Sequence, residues 1–137
     1  MSGLMVCVAV LAAASAFGLW QRRSNGRLKV RERDGERRLG VGELGAELGR
    51  RATLVQFSSA FCQPCRATRR TLADIAGMVE GVAHVELDAE DRLELVRELG
   101  VMKTPTVLVL DADGRIVTRA AGQPRKADVI AALGRVF

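Results

Sequence analysis

Residues 3–20 read GLMVCVAVLAAASAFGLW, with no charge and with Ser15 as the only strongly polar side chain. At about 1.5 Å per residue this run makes a helix of roughly 27 Å, close to the ~30 Å hydrocarbon core of a bilayer. The pattern then turns polar and basic over residues 21–38, with Asn25-Gly26 and Asp34-Gly35 as turn signals. Leu28 and Val30 alternate with charges, which allows a short edge strand or hairpin in what otherwise reads as a linker.

From residue 41 onward the periodicity is that of a folded domain. Val41, Leu44 and Leu48 recur at helical spacing. Residues 52–57, ATLVQF, are nearly all apolar or β-branched, which predicts a central strand covered on both faces. Residues 62–79 predict a helix with Leu72, Ile75 and Val79 inward and Arg66, Arg69, Arg70 and Asp74 outward. Residues 82–87 predict the next strand. Residues 90–99 predict a charged helix burying Leu93, Val96 and Leu99. Residues 104–110 form a strand opened by proline, 111–114 a tight turn, and 115–119 its antiparallel partner. Gly122-Gln123-Pro124 breaks the chain before a last helix over 125–137 that uses Val129, Ile130 and Leu133. The order β-α-β-α-β-β-α implies an α/β fold: a central mixed sheet with helices on both faces, about 100 residues around one core. The expected partition is a transmembrane anchor at 1–20, a basic juxtamembrane linker at 21–38 and a folded domain at 39–137.

Flanking residues decide how the apolar run is read. Trp20 ends it where an interfacial aromatic belongs. Ala14-Ser15-Ala16 resembles a signal-peptide cleavage site, but a signal peptide carries positive charge ahead of its apolar core, and only Met1 and Ser2 precede this one. A retained single-pass anchor is the expectation, a cleaved signal the rival. The arginines follow the run, so the positive-inside bias puts the amino terminus outside and the domain in the cytoplasm; a domain facing outward is the alternative. Cys7 reads as a small apolar residue of the span.

Charge adds one exclusion. The 137 residues carry a net charge of +5, with 48% hydrophobic and 27% charged residues. Residues 21–38 hold eight basic and three acidic side chains, and the rest of the chain holds thirteen of each. The high isoelectric point therefore belongs to one segment, where basic residues suit an anionic leaflet. The charge-balanced remainder, poor in aromatics, gives no footing for nucleic acid.

The candidate chemistry sits at Cys62-Gln63-Pro64-Cys65, where a strand gives way to a helix. A C-x-x-C pair in a βαβ context points to redox use more than to stapling. Zinc needs four ligands, and beyond the pair the chain offers only Cys7 and His84. A permanent disulfide across so short a loop stabilises little and faces reduction in cytosol. A helix N-terminus favours a negative sulfur through its unpaired N–H groups and dipole, and Arg66 and Arg69 can add to that field. On this reading Cys62 attacks and Cys65, one turn on, resolves. Pro64 fits the first turn. Such exchange moves two electrons and calls for no metal and no organic cofactor.

These residues resemble the thioredoxin family over roughly residues 40–137. The likeness rests on Phe61 before C-x-P-C, Thr104-Pro105 opening a core strand about 40 residues later, a hairpin at Asp113-Gly114, and Gly122. It implies the thioredoxin-like three-layer fold and a cis Thr104–Pro105 bond beside Cys62, where the Thr104 backbone would pair with an extended substrate segment. It also implies that Phe61, Thr104, Pro105 and Gly122 shape the substrate surface; an ordinary turn glycine is the other reading of Gly122. Thioredoxins usually carry a buried Asp at the position of Gln56, serving the resolving thiol in proton transfer, and Gln cannot act as a general base. The Lys that commonly faces that Asp corresponds to His84. His84 is therefore either a proton carrier acting through water or a packed strand histidine. Phe61 stands in place of the usual Trp, and Ser58-Ser59 in place of a more aromatic stretch.

The expected function is a membrane-anchored thiol–disulfide oxidoreductase, reducing protein disulfides and acting as a monomer. A cytoplasmic domain implies recharging by an electron-donating flavoprotein reductase. An outward domain implies a partner relaying electrons through the membrane, or an oxidase. The rival is a non-enzymatic adaptor or metal-binding protein on the same fold, kept open by Gln56.

Overall fold

The computed structural model describes residues 1–31 and 34–137. Glu32 and Arg33, counted above in the basic linker, lie outside the described residues. Helix α1 spans Ser2–Ser24 and buries none of its residues. Then come strand β1 (Leu28–Lys29), a 3₁₀ turn (Asp34–Glu36) and a single helical turn, α2 (Val41–Leu44). Strand β2 (Ala52–Ser58), helix α3 (Gln63–Met78), strand β3 (Val82–Asp88) and helix α4 (Leu93–Leu99) follow. Strands β4 (Thr106–Asp111) and β5 (Ile116–Ala121) form a hairpin, and helix α5 (Lys126–Val136) closes the chain.

The sheet runs β1-β5-β4-β2-β3, with β2 and β3 parallel and the other pairings antiparallel. Strand alternation sorts two cores. Val55, Phe57, Leu108 and Leu110 point to one face, with Leu44, Leu95 and Leu99. Ala52, Leu54, Val107 and Val109 point to the other, beneath Leu72 and Ile75 of α3 and Val129 and Leu133 of α5. Each of these Val, Leu, Ile and Phe side chains, fully buried, contributes about 1.5–3 kcal/mol, so the α3 seam is a principal clamp on the site it carries.

Several elements depart from their sequence expectation. The helix expected over 41–48 is one turn, stopped by Gly45 in the left-handed region. Helix α4 begins at Leu93, which is 55% exposed, and buries Leu95 in its place. Ile130 lies exposed while Val129 and Leu133 point inward. The largest difference is in residues 21–38. The anticipated edge strand exists, pairing Leu28 with Ala120 and Lys29 with Arg119. Residues 21–24 continue α1, and further described residues of the segment are tied to the domain. Asp34 is buried and paired with Arg119 through Nη2 (2.6 Å) and Nε (2.7 Å), and Arg119 also donates from Nη1 to the Leu99 carbonyl (2.7 Å). Leu39 joins the core, and its N–H donates to Gly114. A long acid–base contact across 85 positions leaves no periodic trace, which is why the segment reads as solvent-exposed linker.

Candidate active site

Strand β2 ends at Ser58, and the chain turns through Phe61, a non-glycine residue at φ 59°, into the N-cap of α3 at Cys62. Pro64 sits in the first turn, where no N–H is needed. The Cys65 N–H donates to Cys62 Sγ at 3.2 Å, so the sulfur fills the place of an N-cap oxygen. Cys62 and Cys65 are joined as a disulfide with Cα atoms 5.2 Å apart. Cys65 is 1% exposed, while Cys62 is half-buried.

A second donor reaches the outer sulfur. Thr104 Oγ1 lies 3.9 Å from Cys62 Sγ and 2.8 Å from Ser59 Oγ. Thr104 has a single hydroxyl proton; directing it at the sulfur makes Ser59 the donor to Thr104. The Thr104–Pro105 bond is cis, and the Pro105 carbonyl accepts from the Gly122 N–H at 2.7 Å. Gly122 has φ +106°, and a Cβ there would lie 2.3 Å from Asn25 Oδ1. Phe61 stands 99% exposed at the rim, and Met102 is 90% exposed on the same loop as Thr104.

Beneath the pair lies a polar row that strand register assembles. Gln56 and Ser58 of β2 face α3, and the parallel partner strand places His84 beside Leu54 and Glu86 beside Gln56. Gln56 is fully buried. Its Nε2 is 2.8 Å from the Cys65 carbonyl and 2.9 Å from Ser58 Oγ. Ser58 Oγ donates to Glu86 Oε2 at 3.1 Å, and Arg69 Nε contacts both Glu86 oxygens at 3.0 and 2.8 Å. These partners settle the protons. The Cys65 carbonyl only accepts, and Ser58 spends its proton on Glu86, so Nε2 is the Gln56 donor and Oε1 its acceptor. His84 Nε2, 3.2 Å from Gln56 Oε1, must then carry a hydrogen. Burial pushes the His84 pKa below its usual value; Glu86 partly opposes this and Arg69 reinforces it. A neutral ring with its proton on Nε2 satisfies both facts.

The structure thus brings Cys62, Cys65, Phe61, Thr104, Pro105 and Gly122 to one end of the sheet, with Phe61 exposed, Cys62 and Thr104 half-buried, Cys65 and Pro105 buried, Gly122 buried behind Asn25, and Gln56 with His84 below the pair. Arg69, expected to add positive field at the sulfur, is held by Glu86 instead. Ser58, Ser59 and Glu86 were not singled out from sequence as site residues; two-residue alternation along 52–58 and 82–88 is the signal that puts 56, 58, 84 and 86 on one face. Among the described residues, no group of three or more His, Cys, Asp or Glu is placed to hold a metal ion.

A family model described as a thioredoxin-like domain matches residues 45–137. The chain belongs to the thioredoxin-like family. A thioredoxin of Alicyclobacillus acidocaldarius is 32% identical over 90 residues, 65% of this chain and 85% of that protein. Human thioredoxin domain-containing protein 2 is 38% identical over 60 residues, 44% of this chain but only 11% of the human protein. The crystal structure of reduced Schistosoma mansoni thioredoxin pre-protein superposes with a TM-score of 0.56 at 17% identity, over 65% of this chain and 82% of that one. The thioredoxin-like fold, the relatives and a cysteine pair at disulfide distance support thiol–disulfide oxidoreductase activity. The helix Ser2–Ser24 lies ahead of the matched region and is apolar enough, at mean hydropathy 2.1, to cross a membrane or to be a signal sequence.

Proposed function

We propose that this thioredoxin-like protein reduces protein disulfides through Cys62 and Cys65 while tethered to a membrane by α1, with its domain on the cytoplasmic side. The observation that carries the chemistry is the position of Cys62 Sγ at the N-cap of α3, taking the Cys65 N–H with the Thr104 hydroxyl alongside. Donors already aimed at that sulfur favour its anionic form once the pair is reduced.

The cycle follows from two sulfurs. The Cys62 thiolate attacks one sulfur of a substrate disulfide; a Cys62–substrate bond forms and the other substrate sulfur leaves as a thiolate. The Cys65 thiolate then attacks Cys62 Sγ, expelling the second substrate thiolate and closing the Cys62–Cys65 bond. The substrate gains two electrons and the protein's dithiol loses two; a reductase returns them with two protons. Phe61, the Thr104 backbone and Pro105 form the surface that an extended substrate segment would pair with, and Gly122, expected to share it, lies behind Asn25 instead. Gln56 holds the Cys65 carbonyl and takes no proton. His84, with Nε2–H committed to Gln56, keeps only Nδ1 as a basic site, so any proton it takes from Cys65 travels through water.

For the tether, the 23 residues of α1 span about 34 Å, enough for a bilayer core. Arg22 and Arg23 in its last turn, with Arg27 just beyond, support a cytoplasmic C-terminal end.

The test is insulin reduction by the full chain in lipid nanodiscs with a dithiol donor. Turnover is expected, Cys62→Ser abolishes it, and Cys65→Ser accumulates a Cys62–substrate mixed disulfide visible by mass. No turnover with any dithiol, together with tight metal binding, would establish the adaptor reading instead.

A further inference from the structure

The sheet order fixes where α1 joins the domain. Strand β2 runs toward the Cys62 end of the sheet, antiparallel β4 starts there, β5 returns there, and β1, antiparallel to β5, begins there. The end of α1 therefore meets the fold at the active-site end. Side chains agree. The Gly26 N–H donates to the Ala121 carbonyl at 2.9 Å, and a Cβ on Gly26 would lie 2.1 Å from the Gln123 carbonyl oxygen, so the turn after α1 is tightly seated. Asn25 covers Gly122 and accepts from Lys103 Nζ. Lys103 immediately precedes Thr104, whose hydroxyl faces Cys62 Sγ. Asn25 directly follows Ser24, the last residue of α1, and caps that helix's C-terminal end.

Resting on the membrane tether proposed above, we infer that the seated turn holds the Cys62 face at the bilayer surface, and that its partner is a disulfide of an integral membrane protein at headgroup level. The rim suits that place. Phe61 and Met102, the two fully projecting apolar side chains beside the site, match an interfacial layer, and Arg22, Arg23, Arg27 and Lys103 match anionic headgroups. A soluble substrate still reaches the same face from the side, but only along the lipid surface, and so reacts more slowly than a partner already in that layer. A membrane partner meets the sulfur within a shared thin layer, which raises effective concentration with no new contact.

The test places the full chain in nanodiscs with a dithiol donor and offers one disulfide peptide in three forms: free, lipid-anchored through a short spacer, and lipid-anchored through a long flexible spacer. The short-spacer form should be reduced roughly tenfold faster than the long-spacer form. Inserting a flexible Gly/Ser segment of about 20 residues, with a reach of roughly 25 Å, after Arg23 should erase that preference and leave the free-peptide rate unchanged. Equal rates on the two anchored forms, or a preference that survives the insertion, overturns the inference while the oxidoreductase reading stands. Failure to reduce any of the three forms overturns the oxidoreductase reading and this inference with it; a chain that does not stay with lipid overturns the tether on which it rests.

Discussion

The α/β body and the N-terminal arm are held by different forces. The body closes by burying apolar side chains on both faces of β2, β3 and β4, where volume-conserving apolar substitutions are tolerated best. The described residues of the arm, Asn25 to Arg31 and Asp34 to Leu39, are fixed mostly by directed polar contacts: Asp34 on Arg119, Gly26 on Ala121, Asn25 on Lys103. Apolar burial tolerates substitution and degrades gradually. A buried ion pair depends on both partners and fails abruptly when one is removed. The polar row at Gln56 lies between the two, a directed network set inside an apolar layer.

The largest effect expected from this contrast is at Asp34. Asp34→Ala leaves the buried Arg119 guanidinium without its carboxylate, and a loss of roughly 3–5 kcal/mol is expected in urea unfolding. Replacing both partners with apolar residues should recover most of it. If Asp34→Ala costs no more than a surface change, the arm is peripheral to the fold and the contrast disappears.

Gln56→Leu comes next. It keeps the volume but strips donors from the Cys65 carbonyl and Ser58 and the acceptor from His84; a cost of about 1–3 kcal/mol is expected, read by the same unfolding curves. Gln56→Glu tests the other side of the argument, since it restores a carboxylate under Cys65. A new pH-dependent limb in the exchange rate is expected, absent from the parent.

The smallest effect is at His84. Burial lowers its pKa in the folded state, so at pH below its ordinary value of 6.5 the unfolded chain takes up a proton more readily than the folded one. Stability should therefore fall as pH drops from 6.5 toward the lowered value, and be unaffected by this group above 6.5. His84→Gln should flatten the curve in that window alone. An unchanged slope would remove His84 from the network's energetics.

What could be read from sequence follows the same division. Periods of two and 3.6 place β2, α3 and β3 within a residue or two, and Cys62, Cys65 and Pro105 carry enough local chemistry to mark the site. The Asp34–Arg119 pair and the seat of Asn25 on Gly122 depend on residues about 85 and 97 positions apart, with no local pattern to announce them. Leu93 and Leu95 show a finer limit: in a helix as short as α4, a start shifted by three residues changes which leucine is buried. Glu86 and Ser58 were within reach of strand alternation, but only once the pairing of β2 with β3 supplied the register.

The most direct measurement is the alkylation rate of Cys62 in the reduced full chain across a pH series, with Cys65 replaced by Ala. Because the α3 N-terminus and the Thr104 hydroxyl converge on its sulfur, Cys62 should still react rapidly at a pH where a free peptide thiol is protonated and slow. A profile and rate matching those of the free peptide thiol would contradict the proposal that this helix tip makes Cys62 the nucleophile.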